Sequence, residues 1–225
     1  MATNPRYEAV LFDLDGVLTS TAALHARCWK RVFDEVLDEP FDPERDYLAH
    51  VDGKPRFDGV RDMLRARGVE LDDAAVHEIA DRKQALVEEA LAREGVEAFP
   101  GSVRWVEHLR KDGVLTAVVS SSANCDDVLD AAGISGLFET TVDGRDMVEL
   151  GLSGKPAPDG FLESARRLEV APERAVVVED ALAGVAAGRA GGFGLVLGVA
   201  RAAAPHDLRS AGADMVVEDL AEMLA

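Results

Sequence analysis

Asp13 and Asp15 stand two residues apart at the end of a short apolar run, Ala9-Val10-Leu11-Phe12, and Gly16 follows them. Side chains at i and i+2 of an extended segment point the same way, so both carboxylates leave such a strand on one side. Like charges crowded there cost free energy unless a cation or a shared proton relieves them. That arrangement suits a metal site in which one carboxylate is a nucleophile and the other a proton carrier. Two plainer readings stand beside it. Asp-x-Asp-Gly also occurs at polar strand-to-turn junctions. It opens helix–loop–helix calcium sites too, but those want another Asp or Asn where Val17 stands, and a helix in front.

Three further stretches carry compatible chemistry. A second acidic pair, Glu179-Asp180, follows the apolar run Ala175-Val176-Val177-Val178. The run Val114–Val119 ends in Ser120-Ser121-Ser122-Ala123-Asn124, hydroxyls and an amide at a helix start, which can bind a phosphate or simply cap the helix through Ser122. In Gly154-Lys155-Pro156-Ala157-Pro158-Asp159 two prolines stiffen the backbone after Lys155, which is either a surface lysine or a cation for a phosphoryl group. Four carboxylates at strand ends, with a lysine between them in sequence, call for a hard cation. Oxygen-only ligands select Mg2+.

These residues need elements to bring them together. From Phe99 onward helices and strands alternate: a helix over 102–111, a strand over 114–120, a helix over 124–132 and a short strand over 138–142. A helix over 159–169, a strand over 175–178, a helix over 181–190, strands over 193–197 and 215–217 and a terminal helix complete the pattern. Such alternation makes an α/β protein, a Rossmann-like parallel sheet covered by helices on both faces. In open sheets of this kind ligands bind at the carboxyl ends of the strands.

Residues 20–97 interrupt that pattern with helices alone, at about 21–37, 57–67 and 73–94, the last capped by Asp72. They read as a helical cap inserted after the first strand, leaving 1–19 and 98–225 as the core domain. On the first cap helix His25 falls on the apolar stripe Cys28, Trp29, Val32, Phe33, Val36, either as a core histidine or as a site residue. On the third, Lys83 takes a stripe position that an apolar residue should hold. It is either a lysine snorkelling at the core edge or a cation turned into a site.

Bulk properties narrow the partners. The chain has 225 residues, 48% hydrophobic and 29% charged, as a soluble globular protein does. A formal net charge of −18 argues against nucleic acid and anionic membranes as partners. No apolar run reaches the roughly 20 residues of a membrane span, and Met1–Glu8 shows no signal-peptide core. Cys28 and Cys125 are isolated, so a reducing cytoplasm is the expected setting. A monomer is the expected state, with a weak dimer as the alternative.

In their order and at strand ends, Asp13-Leu14-Asp15-Gly16-Val17, Ser120, Lys155-Pro156-Ala157-Pro158-Asp159 and Glu179-Asp180 resemble the four motifs of the haloacid dehalogenase superfamily. Within it the chain most resembles the β-phosphoglucomutase-like branch. The resemblance implies that Asp13 forms an aspartyl phosphate and that Asp15 is the general acid/base. It implies that Ser120 and Lys155 hold the transferring phosphoryl group. It places Asp13, the Asp15 backbone carbonyl, Glu179 and Asp180 around Mg2+. Thr21, His25 and Trp29 fall where the branch's first cap helix carries Thr, His and Trp. Gly53-x-x-Arg56 matches a cap loop whose arginine grips the second, non-transferring phosphate, and Lys83 matches a cap lysine near the sugar phosphate.

Two departures bear on the sugar: a longer loop from Asp143 to Lys155, and Ser20 where those enzymes often have an acid. The implied activity is isomerisation of β-glucose 1-phosphate to glucose 6-phosphate, with a sugar-phosphate phosphatase as the alternative. Dehalogenase and phosphonatase relatives lack an acid at the position of Asp15. A non-catalytic binding module on the same scaffold would have no reason to keep both acidic pairs and Lys155.

Overall fold

The computed structural model describes residues 7–224, so Met1–Arg6 of the N-terminal stretch lies outside the described residues. The chain opens with β1 (Ala9–Phe12), buried throughout. Its alternate side chains reach two cores. Val10 and Phe12 pack with Trp105, Val128 and Leu129 on one face, while Ala9 and Leu11 pack with Phe161, Ala165 and Ala187 on the other. A strand covered on both faces has no polar side, which is why it reads as a continuous apolar run.

Next comes the helical stretch: α1 (Ala22–Phe33), a π-helical turn (Tyr47–Val51), α2 (Arg56–Ala66) and α3 (Asp73–Glu94). It has a core of its own, in which Phe33 stacks between Trp29 and Phe41 at centroid distances of 5.1 and 5.3 Å. Asp72 caps α3, accepting from the Ala75 N–H at 2.9 Å. The entering and leaving segments run side by side: Ser20 N–H donates to the Glu97 carbonyl and Phe99 N–H to the Leu18 carbonyl.

The alternating half follows: α4 (Pro100–Lys111), β2 (Leu115–Val119), α5 (Cys125–Ala131), β3 (Thr140–Val142), α6 (Gly144–Leu150) and α7 (Asp159–Arg167). Then come β4 (Ala175–Glu179), α8 (Leu182–Ala190), β5 (Leu195–Val199), α9 (Pro205–Ala211) and β6 (Met215–Val217). All strand pairs are parallel, in the order β3-β2-β1-β4-β5-β6. Phe12 pairs with Val118 on one side and Val178 on the other, so β1, β2 and β4 end level with one another. This order reverses at β1, the switch point at which open sheets present a crevice.

Four expectations need correction. Residues 143–155 are not all loop, because α6 occupies their first half. Asp143 accepts from the N–H groups of Arg145 and Asp146, and Asp146 reaches back to the Asp143 N–H. Only Met147 of α6 is buried, so no apolar stripe announces it. Helix α9 was not anticipated for the same reason, since Leu208 is its one buried side chain. The terminal helix is a short 3-10 turn, Leu220–Leu224. The strand expected over 193–197 lies two residues later, because Gly194 still belongs to the preceding turn, its N–H bonded to the Pro172 and Ala175 carbonyls.

Truncating Phe33 to Ala should cost about 3–5 kcal/mol, as is usual for a buried aromatic, and lower the urea midpoint. An unchanged midpoint would show that the ring is not packed as described.

Candidate active site

Each edge residue is delivered by a strand end. Asp13 continues β1 by one residue, its N–H donating to the Val178 carbonyl at 2.9 Å. Gly16 then turns the chain at φ +88°, where a Cβ would stand 1.9 Å from an oxygen of Asp180. Only glycine combines that backbone with that proximity. Glu179 ends β4, and its Oε2 accepts the backbone N–H groups of Asp180 and Ala181 at 3.1 and 3.0 Å. Ser120 is buried at the end of β2, and its Oγ accepts the Ser122 N–H at 3.1 Å. Ser122 does not cap α5, because Asn124 holds the cap position and Ser122 Oγ accepts the Asn124 N–H.

Asp13, Glu179 and Asp180 bring one carboxylate oxygen each within 4.8 Å of one another, and all three are buried. Lys155 reaches them from the loop before α7 and is joined to Pro156 by a cis peptide. Its Nζ donates to Asp13 and to the Val119 carbonyl and lies 2.6 Å from Glu179 Oε1. Burial alone would lower the lysine's pKa, but Asp13 and Glu179 outweigh it and hold the ammonium above its usual range. Burial likewise pushes Asp13 and Asp180 well above the ordinary carboxylate range; Lys155 pulls Asp13 back, while Asp52 and Asp13 push Asp180 further. One ammonium against three buried carboxylates leaves the cluster short of positive charge. A hard divalent cation fits this donor set.

Asp15 is turned away from that cluster. Thr21 Oγ1 donates to its Oδ1, and His25 Nε2 lies 3.6 Å from the same oxygen. His25 Nδ1 meets Lys83 Nζ at 2.9 Å, and the ammonium sits 4.9 Å above the Trp29 ring. Lys83 is 5% exposed, so it does not snorkel. Burial lowers its pKa to about 8, with Asp15 opposing. Burial, helped by Lys83, lowers His25 to about 4.

A cleft of about 1040 Å³ separates the sheet edge from the helical insert. Asp13, Asp15, His25, Trp29, Gly53, Arg56, Lys83, Ser121, Ser122 and Asp180 line it. Thr21, Ser120, Asn124 and Lys155 are buried one layer behind this lining, bonded to Asp15, Ser122, Gln84 and Asp13 respectively, and Glu179 lies behind Lys155. Ser121 Oγ donates to the Gly53 carbonyl at 2.7 Å, joining the two sides.

The sequence reading missed several cleft residues. Asp52 is buried there, raised to about 7 by burial, while the Tyr47 hydroxyl bonded to it pulls the other way. An aspartate before a glycine is ordinary turn chemistry, so nothing marked it out. Gln84, beside Lys83, also lines the cleft, as do Arg145 and Val148 of α6. The spacing of Asp143 and Asp146 and the glycine Gly151 that ends the helix were the available signs of it.

A family model described as haloacid dehalogenase-like hydrolase matches residues 7–192. The chain belongs to that family. It is therefore an enzyme of the phosphotransferase and phosphatase kind. It is 46% identical to a β-phosphoglucomutase of Mycobacterium bovis, over 97% of this chain and 92% of that one. A hydrolase from Pseudomonas syringae shares the fold at TM-score 0.85 and 23% identity, covering 96% of each chain. A point mutant of CbbY of Rhodobacter sphaeroides, crystallised with xylulose 1,5-bisphosphate, matches at TM-score 0.78 and 26% identity, again over 96% of each chain.

A Cβ at Gly184 would lie 1.7 Å from Glu179 Oε1. Saturating Mg2+ at a hundred times its Kd should raise the wild-type Tm by roughly 5–10 °C. Gly184→Ala should lose most of that shift by displacing Glu179. Equal shifts in both proteins would remove Glu179 from the cation site.

Proposed function

We propose that the protein is a Mg2+-dependent phosphotransferase that isomerises β-glucose 1-phosphate to glucose 6-phosphate through an aspartyl phosphate on Asp13. The observation that carries this reading is the buried cluster of Asp13, Glu179, Asp180 and Lys155 beneath a cleft whose far wall holds Arg56 and Lys83. The relative from Mycobacterium bovis bears the name of that activity, and a CbbY mutant was crystallised in complex with a sugar bisphosphate.

In this reading Asp13, the Asp15 backbone carbonyl, Glu179 and Asp180 would hold Mg2+. The ion would supply charge neutralisation of the phosphoryl oxygens and of the attacking carboxylate. Asp13 first attacks in line a phosphorus of the priming β-glucose 1,6-bisphosphate, and the sugar oxygen leaves with a proton from Asp15. The 6-hydroxyl of β-glucose 1-phosphate then takes the phosphoryl group from Asp13 and returns its proton to Asp15. The resulting 1,6-bisphosphate, turned end for end, rephosphorylates Asp13 from its 1-position and leaves as glucose 6-phosphate.

Thr21 and His25 orient Asp15 toward the leaving oxygen. Ser120 and Lys155 hold the transferring group, with Ser121 and Ser122 beside it. Arg56 and Asn124 take the other phosphate, Trp29 and Gly53 bound the sugar, and Lys83 adds charge near its phosphate. Residues 20–97 act as the cap that shuts water out, which decides whether a sugar hydroxyl or water discharges Asp13. The site is expected in a cytoplasmic monomer.

Purified protein with Mg2+, β-glucose 1-phosphate and a trace of β-glucose 1,6-bisphosphate should yield glucose 6-phosphate without stoichiometric inorganic phosphate. Phosphate release without the isomer would make it a phosphatase. Asp13→Asn should abolish turnover, and wild-type activity in that variant would overturn the mechanism.

The lowered pKa of Lys83 supplies a pH test. Its charge favours the phosphorylated sugar below about pH 8 and is lost above it, so kcat/KM should fall as pH rises through 8. Lys83→Arg stays charged and should lack that alkaline limb. The same limb in both proteins would assign it to another group.

A further inference from the structure

We propose that Gln84 is a positioning residue that assembles the grip on the non-transferring phosphate from both sides of the cleft, an inference that rests on the phosphate role given above to Arg56 and Asn124. Gln84 lies on α3 and lines the cleft. Its Nε2 donates to Asn124 Oδ1 at 2.7 Å and to Glu88 Oε1 at 2.8 Å. Its Oε1 accepts from Arg56 at 3.5 Å. One amide therefore joins an arginine of the helical insert to an asparagine of the sheet edge.

The chemistry of these neighbours allows one orientation. The Glu88 carboxylate only accepts, and the Arg56 guanidinium only donates. Gln84 must turn its NH2 toward the first and its oxygen toward the second. The remaining N–H then faces Asn124, which has to answer with Oδ1. The consequence is that Asn124 Nδ2 is left as a donor without an acceptor.

Asn124 Nδ2 and Arg56 Nε are both buried and without a hydrogen-bond partner. Leaving such a donor unmet costs about 1–3 kcal/mol. Two of them, one on each residue held by the same glutamine, suit an anion with several acceptor oxygens. A phosphate carries enough acceptor oxygens to answer both. Gln84 thus sets the direction of the donors without taking part in the transfer.

Gln84→Met keeps the length of the side chain and removes its hydrogen bonds. It should raise KM for β-glucose 1,6-bisphosphate about tenfold and leave kcat at saturation within about twofold of wild type. Gln84→Glu turns Asn124 so that Nδ2 is consumed, and should raise KM at least as much. Gln84→Met with an unchanged KM, or with kcat and KM damaged together, would overturn the role. Arg56→Ala separates the two readings. If it leaves KM unchanged, the phosphate assignment itself falls and takes this one with it. If it raises KM while neither Gln84 variant does, Gln84 alone is excluded.

Discussion

Lys155 lies against Asp13 and Glu179 in a place that water does not reach, and the arrangement of the sheet edge depends on that contact. Parallel pairing holds β1 and β4 in register, so the carboxylates at their ends cannot separate without breaking the ladder. The lysine offsets part of the repulsion, and the backbone N–H groups after β4 offset more at Glu179. What remains uncompensated is negative charge of the kind a hard divalent cation would neutralise. The stability of the edge and its capacity for phosphoryl chemistry thus come from one electrostatic arrangement.

The helical insert meets a different constraint. Most of its apolar side chains serve its own core around Phe33 and Met63, and near its exit Leu91 and Val96 pack on the sheet core, so across the cleft it meets the sheet edge through polar links. Thr21 reaches Asp15, Ser121 reaches the Gly53 carbonyl, and Gln84 reaches Asn124. Polar links across a cleft can be exchanged for ligand contacts at little cost, whereas a continuous apolar seam could not. The buried Lys83 and His25 add a further polar link, since they lie in the insert and His25 faces Asp15 at the sheet edge.

Helix α6 shows how a short insertion can shape such a cleft without disturbing it. Its capping box gives it a defined start, and it adds Arg145 and Val148 to the cleft wall. Val148 is 79% exposed, so the helix is held by its caps, by the buried Met147 and by the pairing of Asp146 with Arg167.

The residues at the ends of β1, β2 and β4 were legible because a strand buried on both faces has a plain pattern, and any charge that closes it stands out. Lys83 was legible for a related reason, as a cation on an apolar stripe. Short elements such as α6 and α9 were not, because one buried side chain makes no period. Asp52 and Gln84 were not, because a turn aspartate and a helical glutamine look the same in solvent and in a site. Their partners Tyr47, Asn124 and Arg56 lie elsewhere in the chain or on another element. The sequence alone determined the layered fold and the charges at its edge, which follow from local periodicity. Only the tertiary structure decided which polar groups meet across the cleft, because burial and pairing at long range depend on how the insert is laid over the sheet.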